Sequence, residues 1–246
     1  MARFGFCLFL LLITTTPPLL SGPGDTLLYA DLNGDTAADT IRVATTADGY
    51  DVVNGCTITI NGRTLGVPLQ DVYQVEVAIG DIDGGDNQRE VILTAIGSGS
   101  AASHYVVRLN GNRPVISAPL VGNLSFPGEG VVRAEQWMGF WNITRSYRLD
   151  GETMGWEVVP QDLYELSVAG KTTKSVTLLS AHEPKAKPAA KLKPQSPVTV
   201  VGYIPTSPAG GSNGEDWYQI KTATGAIGWL QLKDVREKIT LPWEGS

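Results

Sequence analysis

The sequence predicts an all-β protein, and three observations carry that reading. Short apolar runs of four to eight residues recur between turn residues, as in TIRVATT, YQVEVAIG and REVILTAIG. Asn-Gly or Asp-Gly pairs punctuate them at Asp48-Gly49, Asn61-Gly62, Asn110-Gly111 and Asp150-Gly151, pairs that tolerate the positive φ of tight hairpins. Sustained helical periodicity with caps is missing, apart from a single doubtful turn over 161–166. With 28 Gly and 15 Pro among 246 residues, the composition fits many turns and short strands.

The chain begins with an address. Arg3 precedes an apolar core, FGFCLFLLLI, and then TTTPPLLSG. Ten apolar residues are too few to cross a bilayer but suit a secretory signal, so residues 1–22 are expected to be removed, with cleavage near Ser21 and Gly22. The expected location is therefore secreted, extracellular or cell-surface, with no membrane span in the mature chain. Cys7 leaves with the signal, and Cys56 remains as a small hydrophobe in an alternating run, CTITI.

Charge divides the remainder. Residues 23–170 carry 8 basic and 19 acidic side chains, a net −11, whereas residues 171–246 carry 10 basic and 6 acidic, a net +4. The total of −6 argues against a nucleic-acid partner. The domains expected are 23–170 and 171–236, with a tail at 237–246.

In the first domain, the segment DLNGDTAAD places side-chain oxygens at relative positions 1, 3, 5 and 9: Asp31, Asn33, Asp35 and Asp39, with the Ala37 carbonyl at position 7. That spacing wraps oxygen ligands around calcium, and clustered carboxylates welcome a cation. A polar turn held by its own Asx hydrogen bonds is the competing reading. Fifty residues on, DIDGGDNQREVIL offers Asp81 and Asp83 at positions 1 and 3, then Asp86 and Glu90 at positions 6 and 10, one residue later than in the first loop. A third, degenerate copy is placed at VGNLSFPGEGVVRAE, around Asn123 and Glu129.

YADLNGDTAADTIRV and AIGDIDGGDNQREVIL resemble the FG-GAP or VCBS repeats of integrin-type propeller proteins. The sequence departs from that pattern at Thr36, where the family usually has Gly, and at the lengthened second loop. The resemblance implies a β-propeller-like domain with weak, structural calcium. Only about three repeats fit the length, fewer than the four to eight blades that close a propeller, so a truncated fan is expected.

QWMGFW packs three large rings into residues 136–141; Trp137, Gly139 and Trp141 alternate and are expected to face a core.

Residues 182–197 hold four Pro and four Lys, with short strands beyond them. SVTLL, AKLKPQSPVTVVGYI and DWYQIKTATGAIGWLQLKDV resemble the bacterial SH3-type (SH3b) domain, which implies a small barrel and a targeting module, often for cell-wall peptides. Gln195 stands where Gly is common in that family. Lys185, Lys187, Lys191 and Lys193 beside Tyr203, Trp217 and Tyr218 are the candidate ligand-binding set, suited to an anionic cell-wall polymer, a peptide or a protein partner. H-E-x-x-H and G-x-S-x-G are both missing, and Cys56 has no His partner near it in sequence. The expectation is a non-enzymatic adaptor; the alternative is a cell-wall or glycan hydrolase using acids of the repeat domain.

Overall fold

The computed structural model describes residues 24–48, 52–99, 102–207 and 215–242. The expected signal segment, the Asp48-Gly49 turn beyond Asp48 and most of the loop PAGGSNGED lie outside them. The described chain is built of antiparallel sheets with one short helix, as the strand pattern predicts.

Three four-stranded meanders come first. The first is β1 (Asp25–Ala30), β2 (Asp39–Ala47), β3 (Val53–Ile60) and β4 (Arg63–Val67). The second is β5 (Val72–Gly80), β6 (Glu90–Gly97), β7 (Ser103–Asn110) and β8 (Arg113–Ile116), with the short β9 (Leu120–Val121) alongside β7. The third is β10 (Asn123–Ser125), β11 (Val132–Trp137), β12 (Asn142–Leu149) and β13 (Trp156–Val159). A single register pair, Val53↔Val72, joins the first two into one sheet. The Asn61-Gly62 turn has φ of +50° and +79°, the two positive values of a primed turn that matches strand twist. Asp150-Gly151 does not make a two-residue turn: Leu149 pairs with Trp156, and Asp150 Oδ1 instead accepts the N–H groups of Glu152 and Thr153 at the head of a longer loop.

The second meander is buried on both faces, which explains its near-continuous apolar strands. Val75, Val77, Val91, Leu93 and Val107 face Ile41, Val43 and Ile58 of the first meander. Ile92 and Val106, of opposite parity, face Val132, Ala134 and Tyr147 of the third. At the free face of the first meander, Thr40, Arg42, Thr57 and Thr59 are partly or fully exposed, as are Leu27 and Tyr29. On the third, Asn142, Thr144 and Arg148 are exposed. These faces end the stack on both sides.

A seven-stranded sheet follows, made of β14 (Tyr164–Thr172), β15 (Val176–Leu179), β16 (Pro188–Leu192), β17 (Pro197–Ile204), β18 (Trp217–Thr222), β19 (Ile227–Gln231) and β20 (Ile239–Thr240). The helix α1 (Leu232–Lys238) lies between β19 and β20. The order is β16-β15-β19-β18-β17-β14-β20, an open path, so the closed barrel expected here does not form. The doubtful helical turn over 161–166 is the start of β14. This strand runs across the expected boundary at 170 and pairs with β17 from Tyr164↔Tyr203 to Lys171↔Pro197. The expected tail is likewise part of the fold as far as it is described: Lys171 pairs with Thr240, and Ile239 and Leu241 are buried.

The aromatic segment separates into two fates. β11 ends at Trp137, whose side chain is 50% exposed, contrary to the core expectation. A turn closed by Met138 N–H to Trp141 O (2.8 Å), with Gly139 at φ +95°, breaks the alternation there. That turn sends Phe140 and Trp141 into the core of the seven-stranded sheet, where Phe140 lies 5.6 Å from Tyr218 and Trp141 5.4 Å from Tyr203, ring centre to ring centre. Cys56 is a free, buried thiol whose pKa burial pushes up to about 11.

Candidate functional site

The two acidic loops are the first hairpin connections of the first two meanders. Loop 31–38 joins Ala30 to its cross-strand partner Asp39, and loop 81–89 joins Gly80 to Glu90. Each buries the apolar residue at its second position, Leu32 or Ile82. Each fixes that residue with a carboxylate at the start of the following strand: Leu32 N–H donates to Asp39 Oδ2 (2.8 Å), and Ile82 N–H donates to Glu90 Oε2 (3.0 Å). The second loop is one residue longer, and its carboxylate is one methylene longer.

Behind these bonds the carboxylates find different partners. Asp39 Oδ1 accepts from the Asn61 amide, whereas Glu90 Oε1 accepts both Arg108 Nε (3.0 Å) and Nη2 (2.6 Å). Asp86 Oδ2 also lies 3.6 Å from Arg108 Nη2. Asp39 and Glu90 are both buried, so both serve as anchors beneath their loops.

Neighbouring loops are stitched by a repeated backbone bond. Arg89 N–H donates to Leu32 O (3.1 Å), and Gly130 N–H donates to Ile82 O (2.8 Å). Gly84 N–H to Gly128 O and the Asp83↔Glu129 bridge complete the second contact. The third copy, around Asn123 and Glu129, therefore contributes a loop to the same row although it lacks the D-x-[DN]-x-D set of acids. Gly34, at φ +75°, touches Asn87 so closely that a Cβ there would stand 2.6 Å from Asn87 O. Asp31, Thr36, Asp81, Asn87 and Arg89 line the polar groove between the first two loops, about 420 Å³ in volume.

The first loop's other oxygens point into its own backbone. Asp31 Oδ1 accepts Gly34 N–H and Oδ2 accepts Thr36 N–H, both at 2.8 Å. Asp35 Oδ1 accepts Ala37 N–H, and Asn33 and Asp35 bond each other. Partial burial nudges the Asp31 pKa upward, but the N–H groups of Thr36, Gly34, Asn33 and Asp35 outweigh it and hold it below the ordinary carboxylate value. In the second loop, Asp83 Oδ1 accepts Gly85 N–H and Asp86 Oδ1 accepts Gln88 N–H. Among the described residues, no three carboxylate, His or Cys side chains converge as a group that could hold a metal. Oxygen donors of this kind suit calcium; here those of Asp31, Asp35, Asp39, Asp83, Asp86 and Glu90 accept N–H groups in Asx turns and anchors.

The seven candidate residues of the C-terminal sheet do not gather at one place. Tyr203, Trp217 and Tyr218 are buried. The Tyr203 hydroxyl donates to Asp216 Oδ2 (2.9 Å), and the buried Asp216 also accepts the N–H and hydroxyl of Thr206. Burial raises the pKa values of both tyrosines, that of Tyr218 to about 12. Lys185, Lys187, Lys191 and Lys193 are exposed on and around the β15–β16 hairpin. The connecting loop also carries His182, whose ring meets that of the partly exposed Trp229 edge-on at 5.2 Å.

Both positions where the resemblances lead one to expect Gly and the sequence has another residue take left-handed backbone, Thr36 at φ +72° and Gln195 at φ +66°. Sequence reading missed the anchoring roles of Asp39, Glu90 and Asp216. A signal for the first two was present, since each acid immediately precedes an apolar strand. Comparison with protein-family models, with curated proteins and with solved structures found no match. No helix among the described residues is long and apolar enough to cross a membrane.

Proposed function

We propose that the protein is a secreted, non-enzymatic binding protein whose basic β15–β16 hairpin grips an anionic cell-wall polymer, with the three-loop stack as a rigid acidic body behind it. One observation carries the reading: four exposed lysines crowd one edge hairpin, and none makes an ion pair among the described residues. Lys174 and Lys238, by contrast, are paired with Glu237 and Asp234. Exposed, uncompensated cations on a protein with an acidic first domain set up a polar field that orients approach to a polyanion. The exposed His182 ring, packed edge-on against Trp229, stands in the same loop as Lys185 and offers a further group for the polymer to meet.

The test is retention of the full mature chain on cell walls before and after extraction of their anionic polymers. Retention is expected at low salt on intact walls, with a loss of about tenfold or more at ~0.5 M salt. Simultaneous Lys→Gln changes at 185, 187, 191 and 193 should abolish it without moving Tm. Salt-independent retention, or equal retention on extracted walls, rules the reading out. Release of soluble fragments from those walls, lost on Asp81→Asn, would favour the hydrolase instead.

A further inference from the structure

The face of the second meander that looks toward the third is not completely filled. A cavity of about 220 Å³ lies between them, walled by Ile92 of β6, Leu124 of β10 and Phe126 in the loop that follows it. Its polar rim is a row of three side chains on adjacent strands, since Glu76 pairs with Thr94 and Thr94 with His104.

Burial holds the His104 pKa below the ordinary imidazole value, although its bond to Gly122 O and the Glu76 carboxylate pull it upward, and the hydrogen bonds of that row suit the neutral ring. His104 Nε2 is 2.8 Å from Gly122 O, which can only accept, so Nε2 carries the proton. Nδ1 lies 3.0 Å from Thr94 Oγ1 and accepts the hydroxyl proton. Both ring nitrogens are thus satisfied in the neutral form, and burial favours that form further. Glu76 receives one hydrogen bond, from Gln74 Nε2 to Oε1 at 3.0 Å. It is half-buried, and among the described residues no Lys or Arg pairs with it. A carboxylate over an apolar cavity with no counter-charge is an electrostatic vacancy for a cation.

We infer that this cavity binds a small primary ammonium compound, its charge on Glu76 and its apolar body against Ile92, Leu124 and Phe126. The volume equals roughly seven waters at ~30 Å³ each, which admits a short aryl-alkyl or branched alkyl amine. The site is independent of the lysine hairpin and shares no residue with it.

The probe pair is 2-phenylethylammonium and its uncharged counterpart 2-phenylethanol, titrated into the full mature chain and followed by amide chemical shifts. The ammonium is expected to saturate below about 10 mM and to bind about tenfold or more tighter than the alcohol. Shifts should centre on Glu76, Thr94 and Leu124. Glu76→Gln should bring the two probes to equal affinity while leaving Tm unchanged, and Leu124→Trp should block both by filling the cavity. Equal binding of the two probes to the wild-type chain overturns the inference without any variant. So does failure of the ammonium to shift these residues by ~10 mM, or a Glu76→Gln protein that still prefers the ammonium.

Discussion

The loops 31–38 and 81–89 solve one problem with different parts. Both must bury an apolar residue at their second position, so both leave a main-chain N–H that needs an acceptor away from water. The shorter loop uses Asp39 and the longer one Glu90, the added methylene spanning the added residue. What the repeat preserves between its copies is a hydrogen bond to Leu32 or Ile82, together with the backbone bond passed to the next loop. The acids that look most like metal ligands in sequence are, at two positions, structural supports.

Five substitutions and one titration sharpen this comparison. The largest effect is expected for Glu90→Ala, which strands the half-buried Arg108 and frees Ile82 N–H; a buried pair broken on one side costs about 3–5 kcal/mol. Urea unfolding measures it, and a loss under ~1 kcal/mol would deny Glu90 its anchoring role. Asp39→Ala removes the same kind of acceptor but leaves only the Asn61 amide behind, so a smaller loss of about 1–3 kcal/mol is expected in the same assay. If the two losses are reversed in order, the charge of Arg108 is not what separates the loops. Gly34→Ala combines left-handed strain with the Asn87 contact and should cost about 1–3 kcal/mol in Tm-derived stability; an unchanged Tm would mean that the loops part freely.

Thr36→Gly runs the other way. A β-branched residue at positive φ costs about 1–2 kcal/mol, part of which Gly returns in unfolded-state entropy, so a gain of about 0.5–1 kcal/mol is expected. Gln195→Gly should give a gain of about the same size on the other side of the molecule. The smallest effect is expected from calcium: because the first loop satisfies its oxygens internally, ~1 mM calcium or its chelation should move Tm by less than about 2 °C. A larger rise would show that Asp31 and Asp35 abandon their backbone partners for the ion.

Strand alternation and Gly-bearing turns made the all-β class and the hairpins readable from sequence, because β2 and β12 each show their inward face as every second residue. Other features depend on contacts between distant residues. Phe140 and Trp141 look like a continuation of β11 until Gly139 turns the chain, and Tyr203 and Trp217 look like a binding surface but are buried, Tyr203 among Trp141, Tyr164 and Tyr218. The loop row was half legible: its acids stand out, but which acid turns inward depends on burial of Leu32 and Ile82. The cavity beside Glu76 could not be read at all, since its wall comes from two meanders and its row from three strands.

The turn at Gly139 carries a consequence for how the molecule comes apart. Phe140 and Trp141 belong by sequence to the third meander and by packing to the C-terminal sheet, where they meet Tyr203 and Tyr218. A fragment cut at 171 would lose these two rings and also β14, exposing Val200 and Ile220. The lysine hairpin cannot be borrowed as a portable tag, and melting should register as one event in which the sheet and the third meander fail together.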